Sequence, residues 1–299
     1  MVHEAWSLIE QKEPDFFMGA KSPYYSSAFN IRCPNADGVF EKGCPMVLLQ
    51  FTKKDIPKPQ VRLEFNPLKI FGSSNNLPPA MNCEPAKEHL DFMFTGLCGM
   101  EFFQFLSHAR VTRLDICRHI LFRSPEDYLF GVKYAKSVQS VFGGNGKLET
   151  LYFGKGTGNQ TIVYNKSKHL HGDAAAWDTV RIEARLKMKK TKISDLWGIP
   201  NPLNKVRPHS LKHHKPPCGP AHWIAFQDAC RYRGISNAIK CQPSKCHYRL
   251  KKALSEQPVT WWEMDDYSWT RMWHEALEDS WLNRICAAPP LYMKFLAGE

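Results

Sequence analysis

The chain has 299 residues, of which 43% are hydrophobic and 23% are charged, a composition typical of a globular protein. It contains no apolar run of about 18 residues, so no transmembrane helix is predicted. The N-terminus lacks the basic flank and apolar stretch of a secretory signal, so we expect a cytoplasmic protein, in a host cytoplasm if the source is viral. The formal net charge of +11 favours a polyanionic partner such as nucleic acid.

The positive charge is concentrated in the first part of the chain. Residues 257–299 carry seven acids and three bases, so residues 1–256 hold an excess of 15 positive charges. The ten cysteines show no paired spacing of metal ligands. Cys241 and Cys246 are five residues apart without a second pair, so the thiols are predicted to be reduced and partly core-filling.

Hydrophobic periodicity predicts the elements in chain order. Residues 1–45 are expected to be irregular, and 67–84 to form a loop, because prolines and glycines interrupt both segments. Alternating apolar and polar residues predict strands over 46–51, 60–66, 109–116, 148–153, 160–164 and 177–187. Helical spacing and capping signatures predict helices over 85–107, 124–141, 221–234, 244–255 and 268–285.

This order predicts an α+β fold, with a mixed, largely antiparallel sheet and helices on one face, followed by a small helical module. The body is expected over 1–200, a proline- and histidine-rich linker over 201–220, and the helical module over 221–299. The glycines at 154–159 predict a hairpin turn rather than a phosphate-binding loop, since no Gly-Lys-Ser/Thr precedes a helix.

Three acids lie within strand-like alternations: Glu64, Asp115 and Glu183. Residues at i and i+2 share a face of a strand, so Arg113 is expected beside Asp115, and Arg181 beside Glu183. Either pair alone is typical of a surface ion pair that contributes little stability. Three carboxylates on strands of one sheet would instead suit Mg²⁺ or Mn²⁺, which prefer oxygen ligands.

Tyr164 ends a predicted strand and is followed by Lys166 and Lys168. A free phenol has a pKa near 10 and is a poor nucleophile at neutral pH. A neighbouring cation would favour the phenolate, and lysines could neutralise charge that develops on a phosphorane. Position alone does not distinguish Tyr164 from an ordinary strand tyrosine, and the chain contains ten tyrosines.

Four segments in order carry a family resemblance. They are Val111-Thr-Arg-Leu-Asp115-Ile, Leu151-Tyr-Phe-Gly154, Thr161-Ile-Val-Tyr164-Asn-Lys166 and Val180-Arg-Ile-Glu183-Ala-Arg185-Leu, followed by Asp-Leu-Trp-Gly at 195–198. Together they resemble the replication-initiation endonucleases of filamentous phages and the Rep_trans type of rolling-circle plasmid initiator. The similarity covers about residues 46–200, with a weaker similarity over 221–256.

The resemblance implies a metal-dependent nuclease of the HUH-like superfamily that nicks one DNA strand at an origin. Tyr164 matches the tyrosine that becomes linked to the 5′-phosphate, leaving a free 3′-OH, and a later transesterification joins the strand. Asp115 and Glu183 match acidic positions that would hold the metal, with Glu64 as a third. The implied partners are phage or plasmid origin DNA and host helicase and polymerase, with no membrane.

Lys166 and Lys168 are therefore expected to assist catalysis, and Arg113, Arg181 and Arg185 to contact DNA. The sequence departs from the family in two respects. Residues 1–30 offer no clear equivalent of the N-terminal strand, and the His-hydrophobe-His pair is absent from the expected strand. A copy at His169-Leu170-His171 lies in a predicted loop, and its role as a metal ligand is open. The alternative function is a non-catalytic DNA-binding regulator, which would bind in a salt-sensitive manner without metal.

Overall fold

The computed structural model divides the chain into two compact units. Unit 1 comprises 1–110, 191–198 and 270–299, and unit 2 comprises 111–190 and 199–269. The structure describes residues 17–18, 25–34, 38–40, 46–52, 60–66, 70, 84–144, 146, 148–171, 177–211, 217–256, 259, 262 and 265–279. The predicted loop over 67–84 and the end of the predicted helix over 268–285 fall largely outside these residues.

Unit 1 contains a four-stranded sheet in the order β1-β2-β3-β4, in which neighbouring strands are antiparallel. The strands are β1 (Phe17–Met18), β2 (Tyr25–Arg32), β3 (Met46–Thr52) and β4 (Val61–Glu64). The predicted strand at 46–51 is confirmed, because its alternation buries Val47, Leu49 and Phe51. The expectation that 1–45 is irregular was wrong at β2, which pairs with β3 along its length.

The helix predicted over 85–107 is two helices, α1 (Glu84–Cys98) and α2 (Phe102–His108). Gly99 adopts φ 70°, a left-handed conformation that ends α1. The backbone N–H of Phe102 then donates to Asp91 Oδ1 at 3.1 Å, which fixes the start of α2. Phe94 and Phe102 are both fully buried, with ring centroids 4.9 Å apart.

Unit 2 is built on a five-stranded sheet in the order β5-β10-β9-β8-β7. Its strands are β5 (Arg110–Leu121), β7 (Val138–Phe142), β8 (Leu148–Phe153), β9 (Gln160–Asn165) and β10 (Thr179–Lys192). β7, β8, β9 and β10 pair as successive antiparallel neighbours. The predictions at 148–153 and 160–164 are confirmed, and β5 and β10 extend beyond their predicted ends.

The two faces of this sheet have opposite character. One face is the core of unit 2, formed by Leu151 and Phe153 of β8, Val163 of β9, and Val180 and Ile182 of β10. It packs on a two-stranded antiparallel ribbon of β6 (Tyr128–Val132) and β11 (Val206–Ser210), and on buried Trp262. The alternate residues of the same strands form the other face, which carries Tyr164.

The helix predicted over 124–141 was wrong. Residues Pro125–Asp127 make only one 3-10 turn, and β6 and β7 follow. The aromatic and β-branched residues after Asp127 favour strands, and Gly131 lets β6 approach a neighbouring side chain, since a Cβ there would lie 3.3 Å from Ile235. The capping signature marked a turn, but the local strand preference decided the structure.

The C-terminal part of unit 2 is helical, with α4 (Pro220–Arg233), α5 (Ile235–Lys240) and α6 (Ser244–Ser255). A further short helix, α3 (Lys166–His171), follows β9, and we call it αS below. Part of the predicted linker is the strand β11, because Val206–Ser210 pairs with β6. The α+β class is confirmed.

The last described helix, αC (Asp266–Asp279), starts two residues before its predicted start. Its two tryptophans are buried: Trp269 Nε1 donates to Ile199 O at 3.0 Å, and Trp273 Nε1 donates to Leu196 O at 2.7 Å. Among the described residues, all seven cysteines are free thiols, and none of the helices has the length and apolarity of a membrane span.

Candidate active site on the five-stranded sheet

Tyr164 and Arg181 face each other across β9 and β10. They are Cα partners in the antiparallel register, so their side chains share one face of the sheet. The Cζ atom of Arg181 lies 5.8 Å from the centroid of the Tyr164 ring, within the range of a cation–π contact. The register therefore brings the predicted nucleophile and a predicted phosphate-binding residue together.

Glu183 organises two arginines on the same strand. Positions 181, 183 and 185 share a face of β10, and only 5% of Glu183 is exposed. Its Oε2 lies 3.0 Å from Arg181 Nη2, and its Oε1 accepts a hydrogen bond from Arg185 Nε at 2.7 Å. The carboxylate therefore holds Arg181 and Arg185 in fixed positions beside Tyr164.

Asp115 joins this arrangement from β5, the sheet neighbour of β10. Its Oδ1 accepts from Arg113 Nε at 2.8 Å, and Oδ2 accepts from the same guanidinium. Oδ2 also lies 3.7 Å from Arg185 Nε. Arg185 therefore lies between the carboxylates of Asp115 and Glu183, and the i, i+2 pairs expected from the sequence are both present.

His119 belongs to the same face, and the sequence reasoning missed it. Its Nε2 lies 3.4 Å from Arg181 Nη1. Because a guanidinium only donates, Nε2 acts as the acceptor and Nδ1 carries the proton of the neutral ring. Burial, then the positive charges of Arg181 and Lys166, lower the pKa of His119 to about 4. The alternation from Arg113 to His119 along β5 was the available signal.

The environment of Tyr164 keeps its phenol protonated. The side chain is half-buried, and burial raises its pKa above the ordinary value, with Arg181 opposing the shift and Glu183 adding to it. The ring of His169 makes an edge contact with the Tyr164 ring, with centroids 5.6 Å apart. His169 lies on αS, so the loop expected at 169–171 was wrong, and the side chain of His171 is outside the described residues.

Lys166 and Lys168 follow Tyr164 on αS. The positive charge of Lys166 acts to lower the pKa of both His119 and Cys117, so Lys166 lies near the sheet face that carries Tyr164. The backbone N–H of Lys168 donates to Asn165 Oδ1 at 3.1 Å, and Asn165 Nδ2 donates to Asp178 Oδ1 at 2.5 Å. The first bond attaches the start of αS to the end of β9, and the second attaches the end of β9 to the segment just before β10.

Glu64 does not belong to the same unit as Asp115 and Glu183. It lies on β4 of unit 1, where its Oε2 accepts from Arg62 Nη2 at 2.7 Å. Both side chains are about half exposed, at 44% and 52%. The structure therefore gives Glu64 an arginine partner of its own.

The predicted metal ligands do not form a cation site as they are placed. No group of three or more His, Cys, Asp or Glu side chains among the described residues is arranged to hold a metal. Both oxygens of Glu183 and both of Asp115 face guanidinium groups, and Arg185 lies where a shared cation would have to bind. Binding of Mg²⁺ or Mn²⁺ stays a prediction, and no chemical step is derived through it.

Comparisons with known proteins show a weak structural similarity to a solved structure. No family model and no curated protein matches the chain. Among solved structures, the chain is similar to one titled "Structure of Rolling Circle Replication Initiator Protein from Geobacillus stearothermophilus", with 13% sequence identity and a TM-score of 0.35. The match covers 78% of this chain and 89% of that chain. Identity and TM-score at this level carry no inference about activity.

Proposed function

We propose that this protein initiates rolling-circle DNA replication by nicking one strand of an origin, with Tyr164 as the nucleophile. The observation that carries the proposal is the placement of the Tyr164 ring opposite Arg181, on a sheet face where Glu183 orients two arginines. The ordered sequence resemblance to phage and plasmid initiators supports the same function. The excess of positive charge before residue 257 suits a DNA substrate.

The proposed step is a transesterification. Tyr164 Oη attacks the phosphorus, the P–O3′ bond breaks, and the 5′-phosphate becomes esterified to the tyrosine. The phenol proton leaves to solvent, and the departing 3′ oxygen takes up a proton to become a free hydroxyl. A later attack by a 3′-OH on the phosphotyrosine restores the phenol and closes a strand, so the pair of steps consumes no other substrate.

The arginines supply the electrostatic part of this chemistry. Guanidinium groups bind phosphate oxygens through parallel hydrogen bonds and stabilise charge that develops on them. We propose this role at the scissile phosphate for Arg181, which lies beside Tyr164, and Arg185, Arg113, Lys166 and Lys168 are candidates for the phosphates on either side. The free 3′-OH would then serve a host polymerase, with a host helicase separating the strands.

A non-catalytic DNA-binding regulator is the second candidate. The observation that favours it is the raised pKa of Tyr164, which makes the phenol a weaker nucleophile at neutral pH. Such a regulator would bind the origin through the same arginines and leave the strand intact. The two functions therefore differ in whether a covalent product forms.

The experiment is a nicking assay on a supercoiled plasmid carrying the origin of the replicon that encodes this chain. Wild type, Tyr164→Phe and Tyr152→Phe are compared, each with added Mg²⁺ and with a chelator. Tyr152 is the matched control, since it lies half-buried on β8 of the same sheet. We expect open circles and a protein–DNA adduct from wild type and Tyr152→Phe, and neither from Tyr164→Phe.

Two outcomes would contradict the proposal. If wild type binds the origin but leaves no open circle with or without metal, the regulator is the better account. If Tyr164→Phe nicks as well as wild type, another residue is the nucleophile. The chelator arm tests the metal prediction separately, because activity that survives chelation would exclude the predicted Mg²⁺ or Mn²⁺ requirement.

A further inference from the structure

A second basic surface lies on the helical part of unit 2. Between Ala229 and Ser255 the sequence contains no Asp or Glu, and it contains seven bases: Arg231, Arg233, Lys240, Lys245, Arg249, Lys251 and Lys252. A solvated helix surface commonly mixes charges of both signs. A one-sign segment of this length indicates a polyanionic partner.

The basic residues of α6 form one stripe. Lys245, Tyr248, Arg249 and Lys252 are spaced i, i+3, i+4 and i+7, so they share one face of the helix. We call these four residues the α6 stripe. All four are exposed, and Tyr248 has 72% of its surface accessible. The opposite face buries Leu250, Ala253 and Leu254.

The helix that carries the stripe is firmly held within unit 2. Leu250 and Leu254 belong to a buried cluster with Trp223, Phe226 and Ile239. At the end of α6, His209 Nδ1 donates to Leu254 O at 2.7 Å. At its start, His247 Nε2 donates to Gln242 O at 2.7 Å, which fixes the three-residue turn between α5 and α6. The stripe is therefore presented by a preformed helix.

The cations of the stripe are available to a partner. Within the described residues, Lys252 is the stripe cation that pairs with a carboxylate, at 3.4 Å from Glu256. The two side chains are 55% and 58% exposed, so this pair contributes little and can yield to a phosphate. The stripe thus differs from the Tyr164 face, where the arginines form ion pairs with carboxylates.

We infer that the α6 stripe docks in the major groove of duplex DNA. A 12-residue helix is about 18 Å long and about 10–12 Å wide, which matches a groove about 12 Å wide. Lys245 and Lys252 lie at the two ends of the stripe, where they would contact phosphates, and Arg249 lies between them, where it would reach base edges. The inference rests on the proposed function in taking DNA as the substrate, and adds that intact duplex is held by α6.

The test measures binding of a short fluorescent duplex by anisotropy at several salt concentrations, in a Tyr164→Phe background so that no cleavage intervenes. The variant is Lys245→Gln, Arg249→Gln and Lys252→Gln combined. The matched control is Lys133→Gln, Lys136→Gln and Lys155→Gln combined, which removes the same charge from exposed positions between strands of unit 2. A charge-conserving variant (Lys245→Arg, Arg249→Lys, Lys252→Arg) is measured beside them.

We expect the α6 variant to bind duplex ~10- to 100-fold more weakly, with a salt slope reduced by about 2–3. The control triple should lose clearly less, and the charge-conserving variant should keep the slope. If the α6 variant fails to fold by circular dichroism, Arg249→Gln alone should lower the slope by about 0.9. Equal losses in the two triples, or an equal loss for a single-stranded oligonucleotide, would overturn the inference.

The proposed function fails independently of this result. A chain that retains α6-dependent duplex binding but forms no adduct at Tyr164 would refute nicking and leave the duplex surface standing. A chain that nicks a single-stranded oligonucleotide but binds duplex equally well without the stripe cations would refute the duplex surface and leave nicking standing.

Discussion

Two regions of unit 2 place a tyrosine among cations, and they do so in opposite ways. Tyr164 is half-buried beside Arg181, and the arginines around it are paired with Glu183 and Asp115. Tyr248 is 72% exposed on a helix face whose basic residues point to solvent. Burial and pairing hold side chains in fixed positions, which catalysis requires, whereas exposed cations serve phosphate binding.

The largest expected effect is on the rate of adduct formation. It distinguishes the two regions, because a change in one should alter this rate and a change in the other should alter DNA affinity. Arg181→Gln should lower the rate of adduct formation at saturating single-stranded DNA by roughly 10²–10³-fold, because one preorganised charge at the phosphate is lost. Arg249→Gln should instead weaken duplex affinity. Single-turnover kinetics and anisotropy measure the two effects. If Arg249→Gln slows the chemical step as much as Arg181→Gln does, the two regions are not functionally distinct.

The ion pairs of Glu183 are buried, whereas the ion pair of Glu64 is exposed, so the two glutamates should differ in their contribution to stability. Glu183→Gln should destabilise the protein by about 2–4 kcal/mol, because two arginines that face its carboxylate lose their partner in a largely buried setting. Glu64→Gln should change stability by less than about 0.5 kcal/mol, because its pair with Arg62 is half exposed. Urea unfolding of both variants checks the difference, and equal values would contradict it.

His119 makes stability depend on pH. Its pKa is about 4 in the folded chain and near 6.5 when unfolded, so the unfolded state binds more protons between these values. The contribution is fully present above pH 6.5 and is lost as the pH falls through 4. Relative to His119→Gln, wild type should lose about 1–3 kcal/mol over this window. Parallel stability curves for the two proteins would contradict a lowered pKa of His119 in the folded chain.

The sequence was most informative where a pattern is local. Alternation located β3, β8 and β9, and helical spacing located α6 at its observed bounds, because periodicity follows directly from strand and helix geometry. The same rule placed Arg113 beside Asp115 and Arg181 beside Glu183. The same alternation places His119 on the face of Asp115, four residues further along β5.

What the sequence could not provide is the relation between distant strands. The pairing of Arg181 with Tyr164 depends on the register of β9 and β10, and the position of Arg185 between Glu183 and Asp115 depends on β5 lying next to β10. Neither follows from spacing within one strand. The contacts of the two carboxylates depend on the same strand order, since Asp115 lies near Arg185 of β10 as well as beside Arg113.

The most direct test of the account is to identify the residue that becomes linked to DNA. Wild type is incubated with a single-stranded origin oligonucleotide, the adduct is digested with nuclease and trypsin, and the peptides are analysed by mass spectrometry. Cleavage after Lys155 and Lys166 releases residues 156–166, in which Tyr164 is the only tyrosine. We predict that this peptide carries the added nucleotide mass, lost in Tyr164→Phe. A modified peptide elsewhere in the chain, or no modified peptide from an active preparation, would contradict the account.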